Sequence, residues 1–582
     1  MVTNFFSYKV KIRSNQFVTE DGRVFENTAS ISFFDENKKE LAFRELGYVD
    51  TEDIFKLIDN NEEINLNHCY VENFMLSAYR KSRNLEKDSI VKINNLQAEH
   101  SIFESQLLND FSFAHFGENR MSFKHSQFIN GAVDFSNCDF GDSEADFSYC
   151  FFNNGNVDFK NSTFGVGEVT YKNSVFGLGV KDFQYVDFGE GELIFVNTEF
   201  GDGDISFINT NFNKGNVSFK IARFGNGKID FHFAKFGSGD ISFERTEFQN
   251  GKVDFRKVEF GKGKINFNRA VFGSGEVSFE GSSLSKGKMS FKKTEFGAGF
   301  KGFDLLEFEE SDLIFEGIDF GVGNVSFNNS KLHTLLLNSC HLDNYFDFRL
   351  AQCSYLDLSD TIVRDIIDFL PYDFDVKIKH INISGMRLLG RIDIDWFKNI
   401  VYDTISTLSH TTLRDKAEQF RILKENFGGI GQYYQEDLAY IEFKRFEQKA
   451  ELEEALKSNK AKAFIHYPIY GFKWLMFDKV GLYATSPARV LTSLFTTFFI
   501  FSLIHLILPR FVETSISCIP ADLSFFDNVL ATFYYSAITF LTVGYGDCCP
   551  VGILRLVASF EGFFGVFMMS YFTVAFARKI LR

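Results

Sequence analysis

The sequence predicts a multidomain membrane protein with a long soluble β-helix, an α-helical linker and an all-α domain that crosses the membrane twice. Three observations predict this architecture. An aromatic residue, Phe at every position except Tyr171, recurs every twelve residues from Phe111 to Phe327. Two C-terminal apolar runs are long enough to cross a bilayer, and a short aromatic stretch separates them. The mean hydropathy of −0.09 indicates that most of the chain lies outside the membrane.

The composition excludes several classes of function. The net charge of −16 argues against nucleic acid as a partner, because binding to phosphates needs clustered Lys and Arg. The pattern of residues contains no nucleophile–base pair, metal-ligand spacing or phosphate loop, so neither an enzyme nor an organic cofactor is expected. The cysteines of the soluble part are predicted to be buried free thiols; they are Cys69, Cys138, Cys150, Cys340 and Cys353.

Residues 1–88 are predicted to form a mixed α/β cap. The alternation from Phe6 to Ile12 predicts a strand, Asp21-Gly22 predicts a hairpin turn, and the spacing over Thr51–Ile58 predicts a helix with Thr51 as N-cap. Residues 1–13 are amphipathic and lack an apolar core, so no cleavable signal peptide is expected. A ligand pocket in this cap is the alternative to a capping role, but no site residues support it.

Residues 89–365 carry the repeat, which divides into five, five and two residues. Val133 and Phe135 in one pentapeptide, and Cys138 and Phe140 in the next, occupy equivalent inward positions. This pattern resembles the pentapeptide-repeat family, whose chain winds as a right-handed quadrilateral β-helix. The inserted pair, often Gly plus a charged residue, departs from that family.

Two twelve-residue repeats are predicted to form one coil, so that a coil takes about 24 residues and holds four inward Phe. A coil of twelve residues is the rival, but its bore is too narrow for two Phe and an aliphatic side chain at native density. A meander of hairpins is disfavoured because a Phe spacing of five breaks the alternation of a strand. Pairs such as Gly237-Ser-Gly239 are predicted to be corners with positive φ rather than nucleotide-binding loops. The outward charges predict a solvated face, with DNA mimicry as a disfavoured alternative.

A strand-rich connector is expected over residues 366–405 and an αα-hairpin over residues 406–465. One helix is predicted from Thr412 to Phe427, where Gly428-Gly429 end it, and a second from Gln432 to about Lys460. The hairpin is expected to act as a cap and spacer, or to carry force between the β-helix and the membrane domain.

Residues 466–582 are predicted to form the membrane domain. An interfacial amphipathic helix is predicted over Tyr470–Leu482, and the remaining elements are the first span at 490–508, a half-crossing helix at 527–540 and a second span at 553–576. Basic residues flank both spans on one side; they are Lys473, Lys479, Arg489, Arg578, Lys579 and Arg582. Both termini are therefore expected in the cytoplasm, with the loop 509–552 outside. Cys518 is available to pair there with Cys548 or Cys549.

The six residues Thr542-Val-Gly-Tyr-Gly-Asp547 lie between the short helix and the second span. A dehydrated cation needs a ring of oxygens, and consecutive backbone carbonyls provide one if the backbone alternates with left-handed residues, which glycine reaches without penalty. The motif and both spans resemble the two-transmembrane, one-loop pore of the potassium channel family over about 100 residues.

The resemblance implies roles for individual residues. The carbonyls of Thr542, Val543, Gly544 and Tyr545, with the Thr542 hydroxyl, bind K⁺, and Gly546 completes the filter. Asp547, Tyr534 and Tyr535 support it, with the tyrosines donating hydrogen bonds toward Tyr545 or Asp547.

Further positions are less directly implied. Gly565 lies where the family's inner helix bends, with close helix packing as the alternative. Leu541 and Ile538 depart from the family, which often has Thr and sometimes a buried acid there. We expect Glu561 to face protein rather than lipid, and His505 to lie at the membrane interface.

One chain supplies one filter loop and four are needed to surround an ion, so a homotetramer is expected. The predicted function is K⁺-selective passive transport across the plasma (inner) membrane. The β-helix is predicted to be a regulatory or assembly domain that binds an unknown cytosolic ligand or protein. The alternative is a membrane-tethered pentapeptide-repeat scaffold with a vestigial or non-selective pore.

Overall fold

The computed structural model describes residues 5–117, 119–458, 463–520 and 523–581. The chain forms two compact units, Met1–Leu408 and Ser409–Arg582. Three sequence predictions extend beyond the described residues. The first concerns residues 1–4, which belong to the N-terminal stretch expected to lack a signal peptide. The second is the helix end expected near Lys460, and the third is Arg582, one of the basic residues used to predict the topology.

The first unit begins with an antiparallel sheet of strands Ser7–Arg13, Thr28–Phe34 and Glu40–Val49. A small hairpin, Phe17–Val18 with Val24–Phe25, turns at Asp21-Gly22 as predicted, where Gly22 has a φ of 86°. Helices α1 (Thr51–Asp59) and α2 (Leu76–Ser82) follow. The prediction of Thr51 as N-cap of α1 is wrong. Asp50 caps the helix by accepting from the Glu52 amide, while the Thr51 hydroxyl donates to Glu72 O.

The rest of the first unit is a β-solenoid in which each regular coil takes 24 residues. Val258 and Ser282 show this separation, because the Ser282 hydroxyl accepts a hydrogen bond from the Val258 amide, one coil earlier. Ile229 pairs in parallel with Val253, and Ile241 pairs with Ile265. Two repeats therefore make one turn, which confirms the predicted coil and excludes both the one-repeat coil and the hairpin meander. One face alone contains a 14-stranded parallel sheet.

Each coil contributes to four parallel ladders, so the solenoid is four-sided as predicted. In the coil that starts at Ile229, the ladder positions are Ile229–Asp230, Lys235, Ile241–Ser242 and Glu247–Phe248.

The strands of the solenoid divide among the four ladders. The first contains the ends of Ile102–Asp110 and Gln127–Asp134, then Val157–Asp158, Lys181–Asp182, Ile205–Ser206, Ile229–Asp230, Val253–Asp254, Val277–Ser278, Lys301–Gly302, Val325–Ser326, Phe346–Asp347, Ile366–Asp368 and Arg391–Asp393. The second contains Val91–Ile93, Ala114–Phe116 and a series of single bridges. The third contains Ile64–Asn65, Leu96–Gln97, Met121–Ser122, Ala145–Asp146, Val169–Thr170, Leu193–Ile194, Val217–Ser218, Ile241–Ser242, Lys264–Asn266, Gly287–Ser290, Glu307–Ile314, Lys331–Leu336, Gln352–Asp357 and Ile381–Asn382. The fourth contains Cys69–Glu72, the starts of Ile102–Asp110 and Gln127–Asp134, then Phe151–Phe152, Val175–Phe176, Arg223–Phe224, Glu247–Phe248, Val271–Phe272, Glu295–Phe296, His341–Leu342, Ile362–Val363 and Arg387–Leu388.

Ladder pairing extends beyond residues 89–365 in both directions. Gly47–Val49 pairs in parallel with Cys69–Val71, and Ile366–Asp368 pairs with Arg391–Asp393. The short helix α3 (Val401–Ser406) follows the last coil. The residues predicted as an irregular connector therefore include further coils.

The solenoid core consists of columns of stacked phenylalanine rings. Phe243 stacks on Phe267, one coil later, with ring centroids 4.7 Å apart and planes at 1°. Phe231 and Phe243 meet edge to face within one coil, at 6.0 Å and 90°. Stacked and edge-to-face arrangements are the favoured geometries of aromatic pairs, so the interior is ordered by ring electrostatics as well as by burial. These columns contain many of the 76 phenylalanines of the chain.

Two buried columns of hydroxyls tie the coils together, and three cysteines occupy positions in these columns. Thr246 donates to Phe219 O at 2.7 Å and Ser282 donates to Phe255 O at 2.6 Å. Cys138, Cys150 and Cys340 make the corresponding contacts to Phe111, Phe123 and Phe315 carbonyls. These cysteines are buried free thiols, as predicted, and burial raises their thiol pKa.

Close approach selects the corner glycines more widely than positive φ does. The predicted positive φ is absent at Gly237 and Gly239 but present at other corners, such as Gly189, Gly201 and Gly261. A further left-handed position lies two residues after the first Phe of each repeat; Arg245 (φ 57°) and Lys257 (φ 55°) occupy it. A Cβ on Gly239 would overlap the carbonyl oxygen of Gly215, and one on Gly263 would overlap that of Gly239. The glycines thus form columns in which the backbone of one coil packs directly against the backbone of the next coil.

Two lysines lie at inward positions that are otherwise aliphatic. Lys181 and Lys301 are each 1% exposed. Lys181 Nζ donates to Gly177 O at 2.6 Å, and Lys301 Nζ donates to Gly297 O and Val322 O at 2.8 and 2.7 Å. Burial lowers the pKa of both ammonium groups from 10.5 to about 8.

The second unit begins with the predicted αα-hairpin. Helix α4 (Leu413–Gly429) starts with a capping box, in which the Thr412 hydroxyl accepts from the Asp415 amide and the Asp415 carboxylate accepts from the Thr412 amide. Helix α5 (Tyr433–Ser458) packs against it, with Phe420 stacked on Phe446 at 5.5 Å. The two helices and the start at Thr412 agree with the prediction, but the predicted end at Phe427 is wrong, because α4 continues through Gly428 and Gly429.

Replacing a column glycine is expected to destabilise the solenoid. We expect Gly239→Ala to lower the free energy of unfolding by about 1–3 kcal/mol, because the methyl group overlaps the Gly215 carbonyl. Thermal melts of the full-length protein, followed by circular dichroism at β-sheet wavelengths, measure the change. Ser238→Ala, at the exposed residue between the two glycines, is the control. Equal melting temperatures would contradict the steric role.

Removing a buried lysine should stabilise the solenoid in a pH-dependent way. Below pH 8, Lys181 is charged in both the folded and unfolded states, so its full burial cost is present. This cost disappears as pH rises from about 8 toward 10.5, where the unfolded lysine also loses its proton. We therefore expect Lys181→Ile to raise the melting temperature most at pH 7 and less at pH 10. The exposed Lys172→Ile is the control, and a gain independent of pH would contradict the account.

Candidate functional site

Two helices of the second unit are long and apolar enough to cross a membrane. Helix α7 (Pro487–Ile507), continued by the turn Leu508–Arg510, has a mean hydropathy of 2.1 over its best window, and helix α9 (Leu554–Ile580) has 1.4. These helices contain the predicted spans 490–508 and 553–576. Helix α8 (Phe525–Phe540) lies between them, at the residues where a half-crossing helix is predicted.

The predicted interfacial segment is helical but not uniform. Helix α6 (Ala463–Lys473) runs into the π-helical turn Trp474–Lys479. The short turn Leu482–Ala484 then contains three consecutive residues at positive φ, with values of 47°, 57° and 62°. Each such residue costs about 1–2 kcal/mol, so this turn before α7 is a strained segment.

The loop after α7 is held to the segment after the candidate filter. Strands Ser515–Ile516 and Pro550–Val551 pair antiparallel, and Cys518 forms a disulfide with Cys548. Of the two partners left open by the sequence, the structure selects Cys548. Cys549 is an exposed free thiol whose amide donates to Ser517 Oγ at 2.8 Å.

Helix α8 leads directly into the candidate filter. The Ser524 hydroxyl caps its N-terminus by accepting from the Asp527 amide at 3.2 Å. At its C-terminal end, Ile538 O accepts from the amides of Val543 and Gly544, at 2.9 and 3.2 Å. These two bonds place the start of the filter on the last turn of the helix.

The filter backbone alternates between ordinary and left-handed conformations. Thr542, Gly544 and Gly546 have φ values of 57°, 53° and 82°, so the left-handed values predicted for the two glycines are present and Thr542 shares them. Val543 and Tyr545 are 48% and 73% exposed in the single chain. The Thr542 hydroxyl donates to Leu541 O at 2.7 Å.

The two tyrosines of α8 have different roles. Tyr534 donates to Asp547 Oδ2 at 3.0 Å, as the resemblance implied. Tyr535 makes no such bond within the described part of the single chain. Its ring is buried edge-on against His505, with centroids 5.1 Å apart, and its hydroxyl has no partner among the described residues. Tyr535 is therefore a packing contact between α8 and α7.

Glu561 is fully buried and faces protein, as expected. Its Oε2 lies 2.8 Å from His505 Nε2, and its Oε1 accepts from the Ser536 hydroxyl. The interface position expected for His505 is wrong, because the ring is 1% exposed and lies between helices. Gly565, the proposed hinge, packs so closely on Phe540 O that a Cβ would overlap it, and α9 continues through it as a helix.

Helix α5 binds the end of α9 and the region of the strained turn. Asp437 accepts from Arg578 at 3.2 Å and from Lys579 at 2.7 Å. Arg445 forms a two-oxygen ion pair with Asp478, with a shortest contact of 2.7 Å. Tyr571 of α9 accepts from the Ala484 amide at 3.0 Å. These contacts join α5, the 474–484 segment and α9.

A comparison with known families identifies this part of the chain. Residues 489–582 match the ion channel family. The match covers both candidate spans, α8 and the loop that follows it. No curated protein and no solved structure matches the chain. The chain thus joins a β-solenoid to an ion channel domain in a membrane protein.

The contacts of Ser536 and His505 with Glu561 are not among the sequence predictions, although a signal for the contact of His505 is present. His505 lies in the first span and Glu561 lies well inside the second, and both lie toward the loop 509–552. Two such residues at similar depth predict each other as partners, because an unpaired polar group is costly there. Ser536 carries no comparable sign in the sequence.

The disulfide assignment predicts the reactivity of the cysteines. Under native, non-reducing conditions, a thiol reagent should label one cysteine per chain, Cys549, because Cys518 and Cys548 are bonded and the other thiols are buried. Mass spectrometry of peptides from the labelled full-length protein locates the modification. The Cys549→Ser variant should remain unlabelled. Label on Cys518 or Cys548 would contradict the pairing.

Proposed function

We propose that this protein is a tetrameric, K⁺-selective channel for passive K⁺ transport across the cell membrane. In this proposal the β-solenoid is a cytosolic regulatory or assembly domain for a ligand or protein whose identity the sequence does not specify. The single observation that carries the proposal is the alternating backbone of Thr542, Gly544 and Gly546 at the end of α8, within an ion channel domain.

The filter residues fit K⁺ as the conducted ion. Left-handed residues at alternate positions allow successive carbonyls to point the same way, which supplies the oxygens that replace the ion's hydration shell. The carbonyls of Thr542, Val543, Gly544 and Tyr545 are the proposed ligands, and the Thr542 hydroxyl adds an oxygen at the inner end. Asp547, held by Tyr534, supports the outer end.

Exposed apolar surface in the single chain supports the homotetramer. Tyr545 is 73% exposed, and Phe560, Phe563 and Val566 of α9 are between 49% and 67% exposed. One filter loop contributes one quarter of an ion-binding ring, so the remaining oxygens come from three further copies. The copies and the surrounding lipid together cover the apolar faces.

The orientation follows from the basic residues that flank the spans. Lys473, Lys479 and Arg489 precede α7, and Arg578 and Lys579 lie at the end of α9, which favours a cytoplasmic location for both termini. The disulfide Cys518–Cys548 then lies on the outer side, where oxidising conditions are compatible with it.

The contacts of α5 offer a route by which a cytosolic domain controls the pore. Asp437 binds the basic residues at the end of α9, and Arg445 binds Asp478 next to the strained turn. A movement of α5 therefore acts directly on the inner end of the second span, and the strained turn stores free energy that a change in position releases.

A membrane-tethered scaffold with a vestigial or non-selective pore remains the second candidate. It is favoured by the size of the solenoid, which makes up most of the first unit. The two candidates predict different ion fluxes and the same fold, so a measurement of flux distinguishes them.

Flux through the purified full-length protein tests the proposal. In liposomes with opposed K⁺ and Na⁺ gradients, we expect a current that reverses near the K⁺ equilibrium potential. Gly544→Ala should reduce K⁺ flux by about tenfold or more, because alanine at a left-handed position costs about 1–2 kcal/mol in every subunit. Gly471→Ala is the control, because its methyl group meets open space.

The outcomes separate the candidates. Equal K⁺ and Na⁺ permeability would support the non-selective pore, and a tetramer without flux would support the scaffold. Light scattering should give a protein mass of four times 66.8 kDa; a monomeric or dimeric mass would contradict the tetramer.

A further inference from the structure

Three helices of the channel domain meet around one buried carboxylate. Glu561 of α9 has both oxygens occupied, one 2.8 Å from His505 Nε2 of α7 and the other bound by the Ser536 hydroxyl of α8. The exposed fractions of Glu561, Ser536 and His505 are 0%, 0% and 1%. Within the described part of the chain, no other residue forms a hydrogen bond with this carboxylate.

A carboxylate in an apolar span is costly unless its oxygens have partners. Here partners from two different helices occupy the two oxygens, so Glu561 keeps both contacts only while α7 and α8 keep their positions. Tyr535 adds an edge-on contact between α8 and His505. The group therefore fixes α8 against both spans at one depth.

The network connects to the filter through a short stretch of helix. Ser536 precedes Ile538 by two residues, and Ile538 O accepts the amides of Val543 and Gly544 at 2.9 and 3.2 Å. Displacement of this turn of α8 displaces the acceptor of the amides of the second and third filter residues. The bond from Ser536 to Glu561 is thus within one helical turn of the residue that positions the filter entrance.

We propose that Glu561, His505 and Ser536 form a positioning site that sets the geometry of the ion filter from behind the pore helix. The proposal rests on the proposed function, because it assigns these residues a part in ion selectivity. They touch no ion and act through α8. A role in assembly alone would leave selectivity unchanged in correctly formed channels.

The test uses small changes in the full-length protein. Ser536→Ala removes one donor, and Glu561→Gln keeps the size of the side chain and removes its charge. Ser502→Ala is the matched control, because its hydroxyl is equally buried on α7 but donates to Phe498 O of the same helix. The double variant Ser536→Ala/Glu561→Gln measures whether the two residues act together. Sizing of each tetramer in detergent selects correctly assembled channels.

Two measurements follow on those channels. The first is electrical and has two readouts: the Na⁺/K⁺ permeability ratio, and the rate at which the current declines while the channel stays open. We expect the decline to be about fivefold faster in each single variant, the change expected for one lost buried hydrogen bond, and the permeability ratio to rise. The double variant should exceed the larger single effect only slightly. Ser502→Ala should behave as the unmodified protein.

The second measurement does not depend on conduction. Amide hydrogen exchange of residues 541–546, read by mass spectrometry in K⁺ solution, should be faster in both single variants than in Ser502→Ala. If the unmodified protein carries no K⁺-selective current, the proposed function fails, and faster exchange still supports the positioning role. Exchange and current decline equal to those of Ser502→Ala in both variants would overturn the inference, as would additive effects in the double variant.

Discussion

The parallel ladder in a fixed register is the interaction on which the solenoid depends. Each coil offers its amides to carbonyls of the next, as Phe243 does to Asn266 O at 2.7 Å, and every other feature must accept the resulting spacing between coils. Phenylalanine suits that spacing because flat rings stack within it, and glycine suits it where two backbones meet. At one shared position of the repeat, hydroxyl and thiol side chains donate hydrogen bonds to backbone carbonyls that are not bonded within the ladder. The repeat is therefore a consequence of hydrogen-bond register.

The same need to satisfy buried polar groups organises the channel domain, with fewer partners available. Filter amides use Ile538 O, and the Glu561 carboxylate uses donors from two other helices. In the solenoid a missing partner is one among many repeated bonds, whereas between the spans each bond has no substitute close by. The positions most sensitive to the loss of a hydrogen-bond partner therefore lie in a short part of the chain, near the end of α8.

Periodicity made much of the fold predictable, and contacts between distant residues made the rest unpredictable. The five-residue Phe spacing indicated a four-sided coil, and ring size favoured two repeats per coil over one. Gly239 was read correctly as a corner but for the wrong cause, because close approach and positive φ both select glycine. Filter glycines were predictable because a local motif determines their conformation. The contacts of His505 and Tyr535, by contrast, depend on how three helices pack, and a single sequence does not encode that packing as a local pattern.

Two repeats per coil have a consequence for how such a chain can change in length. Insertion or deletion of two whole repeats restores every ladder, glycine column and ring stack, and the chain leaves the solenoid from the same side. A change of one repeat preserves the sequence pattern equally well but turns the exit by half a revolution. Sequence similarity between neighbouring repeats therefore conceals a parity rule. Duplications of an even number of repeats are structurally silent, whereas odd ones redirect everything downstream.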